Sequence, residues 1–379
     1  MLLIKNMLNK ANSKTVSASA TPALTEDLIT RVESKIREGI NPKFELDNWV
    51  VDPQGVHYYP HFMEAQLCKE LSVCIQGQPS DKWVNLTHAK RRLQKWGGDV
   101  TESGLQNISE IPPFLVALID KLEQEGVTQK RCNHFLINEY KGQAGILPHT
   151  DGPLYHPWVS VLSLGSPILF KFYASHFEAG EDDPTSVILI EEGSLLVFHG
   201  KYYHELLHGI NEVGVESLAI KLDIKRNDGV SAADQQQMMS KSASSNDQEK
   251  YWSCTISSKQ AVDNFTNTRL YLNFLKPEIE QGSFNKLESV EAVVEKLKAS
   301  FDGRKVHGRY TLDVLEKYDQ AEEGSEKRLI GCSIAASWVR DSRVSLTIRY
   351  VPPAPNDSAP THPPATDSNS DSIIPGIDV

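Results

Sequence analysis

A mainly β fold with flanking helices, of the sandwich or jelly-roll kind, is what this sequence predicts. Three observations carry the prediction. Short β-type runs crowd residues 134–198 and return at 343–350, Gly, Pro or acidic turns separate them, and segments of helical periodicity lie mostly ahead of them. Residues 1 to about 45 read as a tail followed by a short helix, Glu26 to Glu38, with nothing catalytic in them. Tyr58-Tyr59-Pro60-His61-Phe62 reads as a strand entering a turn, and Glu64 to Cys74 sets apolar residues at helical spacing. A polar, basic loop region is expected up to Gly98, then a helix from about Pro112 to Gln124 carrying Phe114, Leu115, Leu118, Ile119 and Leu122.

Beyond that helix, His134 to Tyr140, Trp158 to Leu164, Ile168 to Tyr173, Ser186 to Ile190, Ser194 to Phe198 and Arg343 to Tyr350 read as strands. The stretch from about Gly229 to Asp247, rich in Ser, Gln, Ala and Asp, has little to bury and is expected to be disordered. Residues 251 to about 325, including Ala292 to Phe301, are expected to form a small helical subdomain. A disordered tail rich in Pro, Ser and Asp follows from Pro352.

With 379 residues, 40% of them hydrophobic, the chain can bury a substantial core. A formal net charge of −11 argues against attraction of the whole protein to phosphate backbones and leaves only a local basic patch to dock nucleic acid. Cys68, Cys74, Cys132, Cys254 and Cys332 are odd in number and contain no CxxC pair, so reduced thiols in an intracellular protein are expected. No apolar run approaches the roughly 20 residues of a spanning helix, so no membrane partner is expected. Lys5, Lys10 and Lys14 without any Arg make a poor import signal, so a cytoplasmic and/or nuclear location rather than a mitochondrial one is expected, with a monomer presumed.

The chemistry concentrates in Gly145-Ile146-Leu147-Pro148-His149-Thr150-Asp151-Gly152. In an extended strand, positions i and i+2 share a face, so His149 and Asp151 could grip one metal ion together. Two histidines and a carboxylate form the facial triad that leaves positions open on non-haem Fe(II). Candidates for the third ligand are His156, His199, His204 and His208; Leu206, Leu207 and Ile210 bracket His208 with core residues, whereas His204 follows a turn-like Lys201-Tyr202-Tyr203, so His208 is preferred. The run Arg343-Val344-Ser345-Leu346-Thr347-Ile348-Arg349 alternates strictly, placing both guanidiniums on one face about 20 Å apart at full extension. They could clamp the two ends of a dicarboxylate; an edge strand with a wetted face fits the same pattern. Asn138 and Tyr140 repeat the period-2 logic just ahead of the His-Asp pair.

The order Asn138-x-Tyr140, His149-x-Asp151, His208 and Arg343-x5-Arg349 resembles the AlkB family of Fe(II)/2-oxoglutarate dioxygenases. Leu93-Gln94-Lys95-Trp96-Gly97-Gly98, Pro148 through Tyr155, Ser163-Leu164-Gly165-Ser166 and Leu206 through Ile210 are most similar to the AlkB homolog 6 subgroup, over about residues 45–215 and 330–353. The resemblance implies a double-stranded β-helix (jelly roll) core at 46–224 and 330–353, with a large insertion at 225–329, partly disordered and partly helical, before the last core strand. It implies Fe(II) on His149, Asp151 and His208, and 2-oxoglutarate on Asn138, Tyr140, Arg343 and Arg349, with Arg343 at the distal carboxylate. Ser345 stands where many members carry Asn. The implied reaction consumes O2, converts 2-oxoglutarate to succinate and CO2, and hydroxylates a C–H bond; an N-methylated base would then lose formaldehyde.

Lys82, Lys90, Arg91, Arg92 and Lys95 with Trp83 and Trp96 set five cations against Asp81, in a region that resembles the family's substrate-covering lid. Aromatics among cations suit stacked bases and phosphates, so an alkylated nucleic acid, single-stranded or with a flipped base, is the expected substrate. A solvated loop with tryptophans packed beneath it fits the same residues. A protein or peptide hydroxylase or demethylase would use the same iron site, and a catalytically silent adaptor on this fold is a third reading, disfavoured by the presence of all seven expected ligands.

Overall fold

The computed structural model describes residues 24–41, 50–86, 90–174, 184–227, 252–259, 269–271, 289–302, 311–321 and 327–353. In chain order its strands are β1 (Val50–Asp52), β2 (Val56–Tyr59), β3 (Val84–Leu86), β4 (Arg91–Trp96), β5 (Asp99–Thr101), β6 (Gly104–Gln106), β7 (His134–Tyr140), β8 (Ile146–His149), β9 (Trp158–Gly165), β10 (Ile168–Ala174), β11 (Ser186–Ile190), β12 (Leu195–His199), β13 (Leu206–Ile210), β14 (Val215–Asn227), β15 (Trp252–Lys259), β16 (Arg269–Tyr271), β17 (Thr311–Ala321), β18 (Lys327–Val339) and β19 (Arg343–Arg349). Eight of them form a sheet in the order β1-β2-β12-β9-β19-β7-β4-β3, and five form a second in the order β16-β11-β10-β13-β8.

Strand alternation decides where each sheet hides its apolar side. From the larger sheet, Val56, Tyr58, Val159, Val161, Leu196 and Phe198 meet Ile168, Phe170, Phe172, Ile188, Ile190 and Ile210 of the smaller one in a shared core. The opposite face of the larger sheet, including Leu162, Leu195, Val344, Leu346 and Ile348, is covered by helices Glu26–Glu38, Ala65–Gln76 and Pro113–Gln124. The first of these starts where the Thr25 hydroxyl accepts a hydrogen bond from Leu28 N at 3.2 Å, and it buries Leu28, Val32 and Ile36. The third opens on Pro113, whose missing N–H is no loss in a first turn. The predicted mainly β, jelly-roll architecture with flanking helices is therefore the observed one.

At the turn between β9 and β10, Gly165 takes φ +87°, and a Cβ there would lie 2.5 Å from Ser342 O. Only glycine permits this approach, which brings β19 alongside β9. Register then fixes the row of side chains facing the gap between the sheets: Arg343 opposite Tyr140, Ser345 opposite Asn138, Arg349 opposite His134. On the other side of β7, Arg91 is also opposite Tyr140.

Two expectations need correction. The stretch up to Gly98 is not a loop: β3 and β4 lie within it and extend the larger sheet beyond β7. Its alternation is hidden because one face of β4 is polar yet buried. Gln94 donates to Ile75 O at 3.0 Å and accepts from Trp96 Nε1 at 3.0 Å, and Arg92 is bound to Glu139. The region read as a helical subdomain holds the Val290–Asp302 helix but otherwise strands where it is described: β15 and β17 in a four-stranded antiparallel sheet β15-β14-β18-β17, and β16 paired with β11 of the five-stranded sheet. The pairing of β14 with β18 runs from Val215 opposite Val339 to Asn227 opposite Lys327, so both strands cross the boundaries expected at 224 and 330. Such long-range pairing leaves little local signal, though Trp252, Cys254 and Ile256 do alternate. The stretches expected to be disordered, 229–247 and the tail from 354, lie outside the described residues.

The root of this insertion is welded to the core. The buried Arg340 guanidinium donates to Asn211 O at 2.6 Å and Val213 O at 3.1 Å and lies 3.5 Å from Glu216, while Trp338 Nε1 donates to Pro167 O at 3.0 Å. Among the described residues, no helix is long and apolar enough to cross a membrane.

Candidate active site

His149, Asp151 and His208 each offer one ligand atom, and these atoms lie within 4.8 Å of one another. β13 pairs with β8 so that His208 stands opposite His149. Asp151 arrives differently from the expectation: β8 ends at His149, so the carboxylate is carried by the following loop rather than by strand alternation. That loop is anchored by the Tyr203 hydroxyl, which donates to Gly152 O at 2.6 Å, and by Arg349, whose Nη1 lies 2.6 Å from Asp151 Oδ1.

The ring orientations are set by neighbours. His149 Nδ1 lies 2.8 Å from Leu147 O; a carbonyl can only accept, so Nδ1 carries the proton and Nε2 presents its lone pair. The His208 ring packs against Phe170 and Phe198, with centroids 5.6 Å and 5.0 Å away. Burial pushes His208 down to about 3, with the neighbouring His149 ring acting in the same direction, and burial also lowers His149. Burial alone would raise Asp151, but Arg349, His208 and His149 outweigh it and hold the carboxyl below its ordinary value. Two neutral imidazoles and one carboxylate are the protonation states a divalent metal requires. Asp151 Oδ2 is buried without a hydrogen-bond partner, as expected of an atom that could face an ion.

Beside this group lie two buried guanidiniums. Arg349 gives one donor to Asp151 and stacks on Tyr155, 3.8 Å from the ring centroid, leaving Nε and Nη2 without partners. Arg343 donates from Nη2 to Ser163 Oγ at 2.9 Å and lies 5.4 Å from the Tyr140 ring, leaving Nε and Nη1 without partners. Burial lowers Arg343 to about 10, which still leaves it cationic at neutral pH. A buried cation with open donors and no carboxylate is costly unless an anion binds it. Arg343 meets that description, and together with the open donors of Arg349 beside Asp151 it could hold a dicarboxylate that also reaches the ion.

The structure thus brings together His149, Asp151, His208, Asn138, Tyr140, Arg343 and Arg349. His204 is exposed, and His199 is elsewhere, stacked on Trp158 with ring centroids 4.1 Å apart. The basic and aromatic cluster divides. Trp83 and Trp96 are 8% and 5% exposed, which removes them as open stacking platforms. Arg92 is ion-paired with Glu139 and lies 3.9 Å above Trp83; Lys95 pairs with Asp99 at 3.1 Å; Lys90 is exposed. Arg91 alone turns toward the site, donating from Nη1 to Asn138 Oδ1 at 2.9 Å. Tyr155, Ser163 and the two phenylalanines packed against His208 were not singled out in the sequence. For Tyr155 and Ser163 the only signal is membership of the motif stretches around the ligands.

The sequence pattern of the 2OG-Fe(II) oxygenase superfamily matches residues 86–349. Over 179 residues the chain is 35% identical to a Danio rerio protein named "Probable RNA/DNA demethylase ALKBH6", covering 45% of this chain and 75% of that one. The chain therefore belongs to the 2OG-Fe(II) oxygenase superfamily and, within it, to the AlkB family. It is an Fe(II)- and 2-oxoglutarate-dependent dioxygenase that uses O2. Solved structures with looser similarity include OsALKBH1 (16% identity, 44% of this chain, 89% of that one, TM-score 0.34) and a Pseudomonas putida prolyl-4-hydroxylase (13%, 48%, 92%, 0.30).

Proposed function

We propose that His149, Asp151 and His208 hold Fe(II), that Asn138, Tyr140, Arg343 and Arg349 hold 2-oxoglutarate, and that the enzyme removes alkyl groups from nucleic acid by oxidation. The observation that carries the cofactor reading is the 2.6 Å contact of Arg349 with Asp151, which joins a triad of ligand atoms within 4.8 Å to buried, unpartnered guanidinium donors. When bound, the metal with 2-oxoglutarate and O2 supplies the oxidant for a C–H bond. The chain's own groups do the rest. The His149 tautomer and the packed His208 ring aim lone pairs; Arg349 orients the carboxylate of Asp151 and keeps it ionised; Arg343 and Tyr140 receive the far end of the co-substrate. The aromatic residues around His208 exclude water from that side.

Support for a nucleic acid substrate comes from the 35% identical zebrafish protein, which is named as a probable RNA/DNA demethylase. The basic cluster adds less than its composition promised, since Arg92 and Lys95 are neutralised by Glu139 and Asp99. The cofactor reading is tested by anaerobic titration with Fe(II) and then 2-oxoglutarate, with a charge-transfer absorption expected in the native protein and lost in His149→Ala and Arg349→Ala. The substrate reading is tested by supplying N-methylated oligonucleotides or methylated peptides and measuring succinate and formaldehyde together. Formaldehyde matched to succinate from oligonucleotides alone supports it. Coupled turnover only with peptides makes this a protein demethylase, and an intact band without turnover on either restores the silent adaptor.

A further inference from the structure

Arg91 is the one member of the basic cluster whose guanidinium enters the site, and the atoms it touches suggest a job other than binding phosphate. It lies on β4 in the row that contains Tyr140 and Arg343, and its Nη1 is 2.9 Å from Asn138 Oδ1. A guanidinium has donors only, so the amide atom facing it must be the oxygen. That choice resolves which way round the Asn138 amide stands, and it frees Nδ2 to donate. Without Arg91 the same amide could turn over and aim a carbonyl at an arriving carboxylate, which repels it. Asn138 is buried on β7 between the rows of Tyr140 and Leu136 and opposite Ser345, in the middle of the face bounded by Arg343 and Arg349. Resting on the cofactor reading above, we infer that Arg91 is a positioning residue for 2-oxoglutarate: it fixes the Asn138 side chain as a hydrogen-bond donor to the co-substrate carboxylate.

The test uses full-length protein in the anaerobic titration, reading the Kd for 2-oxoglutarate from the charge-transfer band in the wild type, Arg91→Met, Arg91→Lys, Asn138→Ala and the Arg91→Met/Asn138→Ala double variant. A hydrogen bond to a charged acceptor is lost in the first and third of the single variants, so the Kd is expected to rise roughly tenfold or more in each. Lysine keeps a donor within reach of Oδ1 and should restore at least part of the affinity. If Arg91 acts through Asn138, the double variant binds no more weakly than Asn138→Ala, within about twofold, because the second substitution has nothing left to orient. Thermal midpoints near that of the wild type separate this from a structural defect, which would not be rescued by lysine and would not vanish in the Asn138→Ala background. A Kd unchanged in Arg91→Met overturns the inference. Full additivity in the double variant also overturns it, and shows a direct and independent contact of Arg91 with the ligand. Absence of any band in the wild type overturns the cofactor reading and the inference with it.

Discussion

Tyr155 illustrates how a single side chain can matter without touching the chemistry. Its ring lies under the Arg349 guanidinium at 3.8 Å and 5.7 Å from the His134 ring, so Arg349 is held from below while Asp151 holds it from the side. A cation over a desolvated aromatic face contributes about 0.5–2 kcal/mol. Tyr155→Leu is therefore expected to weaken 2-oxoglutarate binding by about threefold to thirtyfold, and Tyr155→Phe to leave it nearly unchanged. Equal losses in the two variants would assign the effect to the hydroxyl. The His149-x-Asp151 pair was legible because its spacing is a chemical pattern in itself, whereas His208, Asn138, Tyr140, Arg343 and Arg349 were legible as a set only through the resemblance of their order to the AlkB family. Tyr155 was not, because a stacking partner has no fixed spacing and emerges only when the loop after β8 folds back over β19.

At the scale of the element, β4 shows why a buried polar strand passes for a loop. Arg-Arg-Leu-Gln-Lys-Trp has too few apolar residues to display period 2, yet Arg92, Gln94 and Trp96 share one face and are satisfied there by Glu139, Ile75 O and one another. The Glu139 side chain is 3% exposed, and three donors surround it: Arg92, Lys141 at 3.4 Å and Gln76 at 3.2 Å. Burial alone would raise the Glu139 carboxyl, but Arg92 above all holds it low. Removing Arg92 strands a carboxylate, whereas removing both partners does not. Arg92→Leu is expected to destabilise the fold by about 2–3 kcal/mol, less than a fully buried pair would cost because Arg92 is itself 28% exposed. Arg92→Leu with Glu139→Gln should recover much of that loss in chemical denaturation. If Arg92→Leu instead leaves stability unchanged and abolishes nucleic acid binding, the residue belongs to the substrate surface after all. Strands of the hydrophobic kind, β7, β9, β10 and β11, were read within a residue or so from alternation and apolar runs. The insertion sheet was not, because its stability depends on partners far away in the chain, as Val215 opposite Val339 shows.

For the whole molecule, the site imposes a pH dependence on folding. His134 is buried beside Arg349, and burial, together with the charges of Arg349 and Lys95, outweighs a backbone contact with Gly98 and pushes it down to about 3. His208 is pushed down to about 3 as well, chiefly by burial. In the unfolded chain both rings titrate near 6.5. The folded state therefore keeps them neutral at pH values where the unfolded state has already taken up protons. Their contribution to stability is complete above about pH 6.5 and is lost progressively as the pH falls toward 3. Within that window each ring contributes a slope of about 1.4 kcal/mol per pH unit. The carboxylates held low, Asp151 and Glu139 among them, act in the same direction but only below about pH 4.5, where their unfolded counterparts begin to protonate. Denaturant unfolding of metal-free protein between pH 4.5 and 6.5 thus isolates the histidines, and His134→Leu is expected to reduce the slope by about one ring's share. Adding Fe(II) should shift the loss to lower pH, since protons must then compete with the metal for His208 and for His149, whose ring burial also keeps neutral. A slope unchanged by His134→Leu would mean that the ring is protonated in the folded protein, with its charge absorbed by Asp99 rather than opposed by Arg349. A loss that ignores Fe(II) would separate the acid sensitivity of the fold from its metal site.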